Sequence, residues 1–508
     1  MRLSIRRTFF LLFSFVLLAF PAGATWSICV VNRRTGEVAV ASATCIPRID
    51  LEVGLPVVRV GQGVGAIQSA GWAPGLVIMF QQFPQGTTPA QILAMVKMAA
   101  PNAGNLQIGI AGMIGAPATF TGKKAGQAKG GVTGEVGDLA YAIQGNVLSG
   151  QNVYLAAEQA LLSTPGDLSQ KLIAAMEAAA AGGGDGRCSC NLFAPTSCGS
   201  PPPSFQKSAH VGFMILARIG DTDPTCLNGN DCAVNGNYFL NLDIKGRNAQ
   251  PNSPDPVQQL RQRYDTWRGN RIGKPDALLS TATSVQSMPA DGRTQRTVTV
   301  RLVDIDGTPL TTGGNNVVVT PVGGGSFLST VGPVIDNGDG TYSFTVTAGT
   351  SPGTDLFDIS ADAGKVTAHL YPYPQIRLDP VQGLHVGYDQ VSAAEAPRVP
   401  FVLHEPARAG AHYLVLASLN GTQPGSKLGD LALPLNAPFI SVLGAGVDRA
   451  RLPGTLGVLD DTGHAEGAFV TSTPTLVSLI GRRLDWTAVF FGDGTRSVSN
   501  PVGFDIVP

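Results

Sequence analysis

The sequence predicts an α+β domain followed by two all-β modules. Within residues 25–270, short apolar strands alternate with segments whose apolar residues recur at helical spacing. Beyond residue 275 this periodicity ends, and strands recur about every ten residues, as is typical of β-sandwiches of about 100 residues. No cysteine follows Cys232. Together these observations predict β-modules at 276–376 and 378–508.

Local patterns predict the elements of the first domain. Runs rich in valine and isoleucine between glycine or polar turns indicate strands. A cap and proline before helically spaced apolar residues, as at Thr88-Pro89, indicate a helix. The predicted strands are WSICVVN and EVAVASATC, joined by a hairpin turn, the pair VVRVGQGVGAIQSAG, NLQIGIAGM, AHVGFMILAR and NYFLNLDIK. The predicted helices are TPAQILAMVKMAA, NVYLAAEQALL, DLSQKLIAAMEAAAAGGG and DPVQQLRQRYDTWR.

Alternation of apolar and polar residues predicts the strands of the β-modules. In RTVTVRLVDIDGTPL, the side chains of Val298, Val300 and Leu302 share one face. DNGDGTYSFTVTA repeats this pattern after a turn, and HYLVLASLNG, LVSLIGRRLDWTAVFF and VGFDIVP extend it to the last module. The DNGDG stretch is similar to the start of a calcium loop, but its twelfth position is Thr347 and not glutamate, so a hairpin turn is predicted.

The first 24 residues predict a signal peptide. An arginine-containing start precedes the apolar run 9–20, and 22–24 is a small-x-small cleavage pattern. The run is shorter than the about 20 residues that span a bilayer, and a retained N-terminal anchor is the alternative. Cleavage would leave Thr25 first and export the chain to the periplasm, the cell surface or the medium, with no transmembrane span.

Charge and histidine content exclude several classes of function. The net charge of −1 with 14% charged residues gives no basic stripe, so no nucleic-acid partner is expected. His210 alone of six histidines lies in the first domain, and G-x-S-x-G and H-E-x-x-H are absent from the sequence. A histidine-based triad is therefore disfavoured.

The glycine motif at 61–66 is followed by a non-helical stretch, whereas a dinucleotide site needs a helix there. The motif therefore predicts a strand–turn–strand. No cofactor or metal is expected.

Seven cysteines in an exported chain predict disulfides and at least one unpaired thiol. Five of them fall in 188–232, which we interpret as a stapled surface insertion. Cys29 and Cys45 lie in apolar strands and are expected to be buried or paired with each other. A zinc site built from the five cysteines and His210 is the alternative, although paired CxxC spacing is lacking.

Thr25 is the candidate nucleophile. A threonine hydroxyl needs a base, and an α-amine with a pKa of about 7.7–8.0 can serve as one when the threonine is N-terminal. Such a site needs oxyanion donors, for which Gln144 and Asn146 are candidates, and a group that orients the amine, for which Asp185 is the candidate.

The same residues resemble domain-of-unknown-function family 1028 over 25–268. The motifs that carry this resemblance are TWSICVVNRRTGEVAVASATC, VGAIQSAGW, NLQIGI, YAIQGNVLSG, the Gly-Gly-Asp at 183–185, SAHVGFMILA and the segment from NLDIKG to VQQLRQRY. The resemblance implies the four-layer αββα sandwich of N-terminal-nucleophile (Ntn) hydrolases, with Thr25 at the nucleophile position on the first strand. The insertion at 188–232 and His210 depart from the family pattern.

Residues 276–376 resemble invasin-type immunoglobulin-like repeats, through ADGRTQRTVTV, VDIDGTPL and DNGDGTYSFTVT. Such modules are spacers or adhesive stalks, and the last module is similar to β-sandwiches appended to exported bacterial proteins. Two functions follow: an exported amidohydrolase, or a non-catalytic binding or adhesive cell-surface protein. The expected partner is an amide-containing substrate or a cell-surface ligand, and the sequence is compatible with a homo-oligomer.

Overall fold

The computed structural model of the protein describes residues 25–246, 252–283, 287–380, 383–394, 398–439, 452–470, 476–492 and 494–508. The chain divides after Gly269 into two compact units, and each unit has its own hydrophobic cores. The predicted signal peptide, residues 1–24, lies outside the described residues.

The first unit has four layers, which confirms the α+β prediction and the αββα order. Its strands are β1 (Thr25–Asn32), β2 (Glu37–Thr44), β3 (Pro56–Arg59), β4 (Gly63–Ser69), β5 (Leu106–Gly112), β6 (Ala118–Thr121), β7 (Gly130–Val136), β8 (Leu139–Asn146), β9 (Val211–Ala217) and β10 (Leu240–Ile244). Its helices are α1 (Ala73–Gln82), α2 (Pro89–Ala99), α3 (Asn152–Ser163), α4 (Leu168–Ala181), α5 (Gly186–Ser189) and α6 (Pro256–Gly269). A six-stranded sheet, β10-β9-β2-β1-β8-β7, packs on a four-stranded sheet, β3-β4-β5-β6. Helices α3, α4 and α6 cover the larger sheet, and α1 and α2 cover the smaller one.

Strand β1 lies inside the larger sheet and pairs antiparallel on both sides. Its partner β2 completes the predicted hairpin, and β8 lies on its other edge. In the β1–β8 ladder, Thr25 is opposite Asn146 and Ser27 is opposite Gln144. Residues 25–31 are all buried, because neighbouring strands and layers cover both edges and both faces of this strand.

Two of the predicted helices begin with capping residues that the sequence contains. Thr88 and Gln91 form a capping box at the start of α2, and Asp167 and Gln170 form one at the start of α4. The sequence does not predict helix α1, because the residue at its N-cap is Trp72, whose side chain makes no capping hydrogen bond. The glycine motif at 61–66 joins the antiparallel strands β3 and β4, which confirms the strand–turn–strand prediction.

Disulfide pairing corrects part of the cysteine prediction. The bonds are Cys45–Cys188, Cys190–Cys198 and Cys226–Cys232. The alternative of a Cys29–Cys45 bond is wrong, since Cys29 is opposite Val40 in the ladder. Five residues (45 − 40) separate that position from Cys45, or about 17 Å, whereas bonded cysteines have Cα atoms within about 7 Å. Cys29 is buried and free, as the odd count predicts. All five cysteines of the insertion are in disulfides, so they provide no thiolate and the zinc alternative is wrong.

The second unit contains two β-sandwiches, which confirms the all-β prediction. The first contains β11 (Thr281–Thr283), β12 (Ser287–Pro289), β13 (Gln295–Arg301), β14 (Asn316–Pro321), β15 (Thr330–Val331), β16 (Ile335–Asp336), β17 (Thr341–Thr347), β18 (Gly353–Asp362), β19 (Thr367–His369) and β20 (Gln375–Asp379). The second contains β21 (Gly383–Val386), β22 (Gln390–Ser392), β23 (Arg398–His404), β24 (His412–Ser418), β25 (Ser426–Leu428), β26 (Leu431–Leu433), β27 (Leu456–Val458), β28 (His464–Val470), β29 (Arg483–Gly492), β30 (Thr495–Val498) and β31 (Val502–Val507).

In each sandwich two sheets enclose a central core, and in the second β25 and β26 form an additional two-stranded sheet over a smaller cluster. The sheets of the first follow β11-β13-β17-β15 and β12-β20-β18-β14, and those of the second follow β21-β23-β28 and β22-β31-β29-β24-β27. Strands β16 and β17 pair antiparallel around the DNGDG stretch, as the hairpin prediction requires. Among the described residues, no helix has the length and apolar character needed to cross a membrane.

The Cys45–Cys188 bond should stabilise the fold more than the small rings do. It closes a loop with a sequence separation of 143, against 8 for Cys190–Cys198, and a longer closed loop removes more entropy from the unfolded chain. We expect Cys45→Ser with Cys188→Ser to cost about 5 kcal/mol in urea unfolding. Cys190→Ser with Cys198→Ser is the control, and an equal loss in both pairs would contradict this prediction.

Glu52 should make stability depend on pH. Burial raises the pKa of this carboxyl to about 8, and the charge of Asp243 adds to the shift. Because the pKa is higher in the folded state than in the unfolded state, the protonated carboxyl stabilises the fold at pH values below the unfolded-state pKa. This stabilisation is lost as the pH rises through about 8. We therefore expect Glu52→Gln to be more stable than the wild type at pH 9 by at least about 1 kcal/mol, but not at pH 4. Urea unfolding at both pH values checks this, with the exposed Glu135→Gln as the control; a parallel gain at both values would contradict it.

Candidate functional site

The start of β1 is the candidate site. Thr25 is its first residue, and Asn146, the last residue of β8, is its ladder partner. Ser27 and Cys29 share the face of Thr25, since side chains alternate along a strand. Both side chains reach the smaller sheet: Ser27 Oγ donates to Gln68 Oε1 on β4, and Cys29 Sγ donates to the carbonyl of Gly109 on β5 at 3.7 Å. Thr25 therefore belongs to the face between the two sheets.

Three buried amide side chains surround the beginning of β1. Gln68 Nε2 donates to the carbonyl oxygen of Thr25 at 2.9 Å and to Gln107 Oε1 at 2.7 Å. Asn146 Nδ2 donates to the same Gln107 Oε1 at 3.0 Å. Gln107 Nε2 in turn donates to the carbonyl of Gly145 at 2.8 Å. Because each amide fixes the next, this chain of Gln68, Gln107 and Asn146, the amide network, holds the Thr25 backbone against the smaller sheet.

Gln144 belongs to the same face but not to the amide network. Its amide is fully buried and lies against Gly109, where a Cβ would meet Gln144 Oε1 at 2.0 Å. Within the part of the chain that the structure describes, neither atom of this amide has a hydrogen-bond partner of good geometry. Buried polar groups are normally paired, and the neighbour of this amide on the same face is the Cys29 thiol, which interacts with it by hydrogen bonding. Burial raises the pKa of the neighbouring Cys29 to about 12, which makes its thiol unreactive.

Asp185 contacts the residues that directly follow β2 and β8, at the end of the sheet where β1 begins. We call this place the site corner. Its backbone pairs with Leu148, and its Oδ2 accepts the N–H of Cys45 at 2.7 Å. Arg187 Nη2 donates to the same oxygen at 2.8 Å, and Oδ1 accepts the N–H of Arg187 at 3.1 Å. Burial raises the pKa of Asp185, with Arg187 acting in the opposite direction. These contacts position the corner, and the predicted role of Asp185 toward the Thr25 amine stays a prediction.

Two strained residues adjoin the amide network. Val147, directly after Asn146, has φ of +51°, and Ser69, directly after Gln68, has φ of +72°. A β-branched residue rarely adopts a positive φ. Backbone strain of this kind persists where surrounding contacts impose it, and it is often found at functional sites.

The sequence analysis predicts Thr25, Gln144, Asn146 and Asp185 as site residues, and it does not predict Gln68 and Gln107. Thr25 and Asn146 are ladder neighbours and Gln144 shares their face, while Asp185 lies at the adjoining corner. Gln68 and Gln107 are opposite each other in the β4–β5 ladder. The available signal was one glutamine in each of two otherwise apolar strands, GVGAIQS and LQIGIAG, where burial requires a polar partner.

The order of the layers defines the class of the first unit, a four-layer αββα domain. Residues 25–193 match the model of a family of unknown function, DUF1028. Residues 276–369 match invasin domain 3. The two family resemblances are thus confirmed over 25–193 of the predicted 25–268 and over 276–369 of the predicted 276–376. No protein with curated annotation matches the chain.

The chain is also similar to several solved structures. A Silicibacter pomeroyi protein with the DUF1028 family model is 18% identical, with 48% of this chain and 85% of that chain covered and a TM-score of 0.34. The Yersinia pseudotuberculosis adhesin InvE is 18% identical, with 44% and 58% covered and a TM-score of 0.18. Invasin, a bacterial integrin-binding protein, is 12% identical, with 95% and 60% covered and a TM-score of 0.18. At these TM-scores the family models, and not the superpositions, identify the domains. Disulfides together with an invasin-like domain are typical of extracellular or surface proteins.

Removing the shared acceptor of the amide network should destabilise the first unit. Gln107→Leu leaves the amide groups of Gln68 and Asn146 without their common acceptor in a buried site, and each such group costs about 1–3 kcal/mol. We expect a total loss of about 3 kcal/mol or more in urea unfolding. Gln81→Leu on the exposed side of α1 is the control, with an expected change within about 0.5 kcal/mol. Equal stability of the two variants would contradict the role of the network.

Proposed function

We propose that the exported chain, cut after Ala24, hydrolyses an amide bond with Thr25 as the nucleophile and the α-amine of Thr25 as the base. The observation that carries this proposal is the position of Thr25. It is the first residue of a buried central strand, its carbonyl is held by Gln68, and its ladder partner Asn146 is held by Gln107. A nucleophile that is fixed on both sides loses little entropy when the substrate is bound.

The proposed reaction has two balanced steps. The Thr25 hydroxyl attacks the substrate carbonyl while its proton moves to the α-amine, which then protonates the departing amine and leaves an acyl ester on Thr25. Water, deprotonated by the same α-amine, hydrolyses this ester and restores the hydroxyl. The amide of Gln144 and the second N–H of Asn146 are the proposed donors to the oxyanion. Asp185 is the proposed partner of the ammonium form.

The proposed substrate is an amide-containing molecule. A peptide, an acylated amine and a cell-wall fragment all present the bond that this chemistry cleaves. The insertion 188–232 is tied to Cys45 beside the site corner, so we propose that it shapes access to the site.

The amine can be tested separately from the hydroxyl. We expect N-terminal sequencing of the exported chain to begin at Thr25, and we expect this chain to cleave members of a panel of acyl and aminoacyl p-nitroanilides. Thr25→Ala should lower turnover at least about 100-fold, and Thr25→Ser should retain part of it. The matched control is the same chain with one glycine added before Thr25, which keeps the hydroxyl but displaces the amine and should also be inactive.

Full activity of the glycine-extended chain would contradict the amine-base mechanism. Activity that survives Thr25→Ala would contradict Thr25 as the nucleophile. Circular dichroism and urea unfolding of each variant separate a chemical loss from a loss of fold.

The invasin-domain match favours a second candidate function, that of a surface-displayed binding or adhesive protein. Invasin itself is an integrin-binding protein of bacteria. In this function the αββα domain is carried on the sandwiches without catalysing a reaction. Binding of the mature chain to cells would then be equal for the wild type and Thr25→Ala, with no substrate of the panel turned over by either.

A further inference from the structure

A cluster of two histidines and one aspartate lies in the second unit, far along the chain from Thr25. Asp291 follows β12 of the first sandwich, while His404 ends β23 and His464 begins β28 of the second. His404 and His464 are directly opposite each other in the β23–β28 ladder. One donor atom from each of the three side chains lies within 4.8 Å of the others. The cluster therefore joins residues from two sandwiches that have separate cores.

Burial leaves these side chains short of hydrogen-bond partners. His404 is 8% exposed, His464 is 7% exposed and the Asp291 side chain is 0% exposed. Among the described residues, Nδ1 of His404 and Nδ1 of His464 have no hydrogen-bond partner. Two unpaired buried ring nitrogens beside a carboxylate require an explanation, because buried polar atoms are normally satisfied.

The two sides of the His464 ring point to a cation. On one side Nε2 faces Glu466 Oε1 at 3.4 Å, and on the other Nδ1 faces Asp291 Oδ2 at 3.5 Å. If Nε2 carries the proton toward Glu466, then Nδ1 presents a lone pair to a carboxylate, and two acceptors face each other. A positive ion between them satisfies both. A carboxylate beyond the far nitrogen is also the usual outer partner of a metal-bound histidine.

The carboxylate of Asp291 is already fixed in place. Its Oδ1 accepts the N–H groups of Arg293 and Thr294, and its Oδ2 accepts Thr294 Oγ1 at 2.6 Å. The same loop is tied to the second sandwich, where Arg293 Nη2 binds Asp460 Oδ2 at 2.6 Å. Nearby, Arg296 lies 3.7 Å from Glu466, so that the charges of this pair offset each other. The Arg293–Asp460 and Arg296–Glu466 pairs thus join the two sandwiches beside the three-residue cluster.

We propose that Asp291, His404 and His464 bind one divalent transition-metal ion, with zinc(II) as the best fit, and that this ion clamps the two sandwiches together. Two imidazoles and one carboxylate with a further position open to water form a ligand set that zinc and other first-row metals accept. Tetrahedral zinc with bonds of about 2.1 Å separates its ligand atoms by about 3.4 Å. The gap of 3.5 Å between His464 and Asp291 already has this size, and a side-chain shift of about 1 Å brings His404 into range.

The test uses the whole mature chain, stripped with EDTA and titrated with zinc chloride by calorimetry. We expect one zinc per chain, zinc retained through gel filtration, and a higher melting temperature in its presence. His404→Gln and His464→Gln should each weaken binding at least about 100-fold, and Asp291→Asn at least about 10-fold. His412→Gln, at an exposed position on β24, is the matched control and should bind as the wild type does.

Further measurements keep the outcome decisive. Asp291→Asn retains an oxygen for the N–H groups of its loop, so it tests the site even if a histidine variant fails to fold. With cobalt(II) in place of zinc, visible ligand-field bands without a thiolate charge-transfer band would exclude Cys29 as the ligand. No zinc retention, or equal retention in His404→Gln and His464→Gln, would overturn the proposal, and the cluster would then be an imidazolium bridge between Asp291 and Glu466.

Discussion

Hydrogen bonding along both edges of β1 is the constraint on which the first unit depends. A strand that is paired on both sides and covered on both faces can have no free backbone polar group, so its ladder partners and the smaller sheet must satisfy every one. The apolar side chains of β1 need only pack against the neighbouring layers. At its start, where polar side chains are buried, the smaller sheet supplies Gln68 and Gln107. The stability of the domain and the order of the candidate site thus have the same origin.

The cysteine-rich insertion has a structural role at this corner. Its first cysteine, Cys188, bonds to Cys45 at the end of β2, while Asp185 links the same segment to Cys45 and Leu148. A surface loop and the start of the central strand are therefore mechanically connected. The strained backbone at Val147 lies within this connection, which shows that the contacts around the corner outweigh a local conformational cost of about 1–3 kcal/mol.

Both units place polar side chains where ordered elements meet. In the first, amides from two facing sheets meet at the head of β1. In the second, Asp291 from one sandwich approaches His404 and His464 of another. Neither arrangement is visible in the sequence. The separation of 39 residues between Gln68 and Gln107 is closed by the β4–β5 ladder, and the separation of 173 (464 − 291) between Asp291 and His464 is closed by the approach of two sandwiches. Ladder register decides which polar residues share a face.

The sequence by itself determined the fold class, most strands and helices, and the change from αβ to all-β character, because periodicity, capping and turn chemistry are local properties. It also singled out Thr25, Asn146, Gln144 and Asp185 as residues of interest. The tertiary structure alone decided that Cys45 bonds to Cys188 and not to Cys29, since disulfides depend on distance and not on strand character. It also decided that α1 forms without a cap, through packing against β3 and β4. Finally, it brought Gln68 and Gln107 to the start of β1, because a buried glutamine finds its partner only when two sheets face each other.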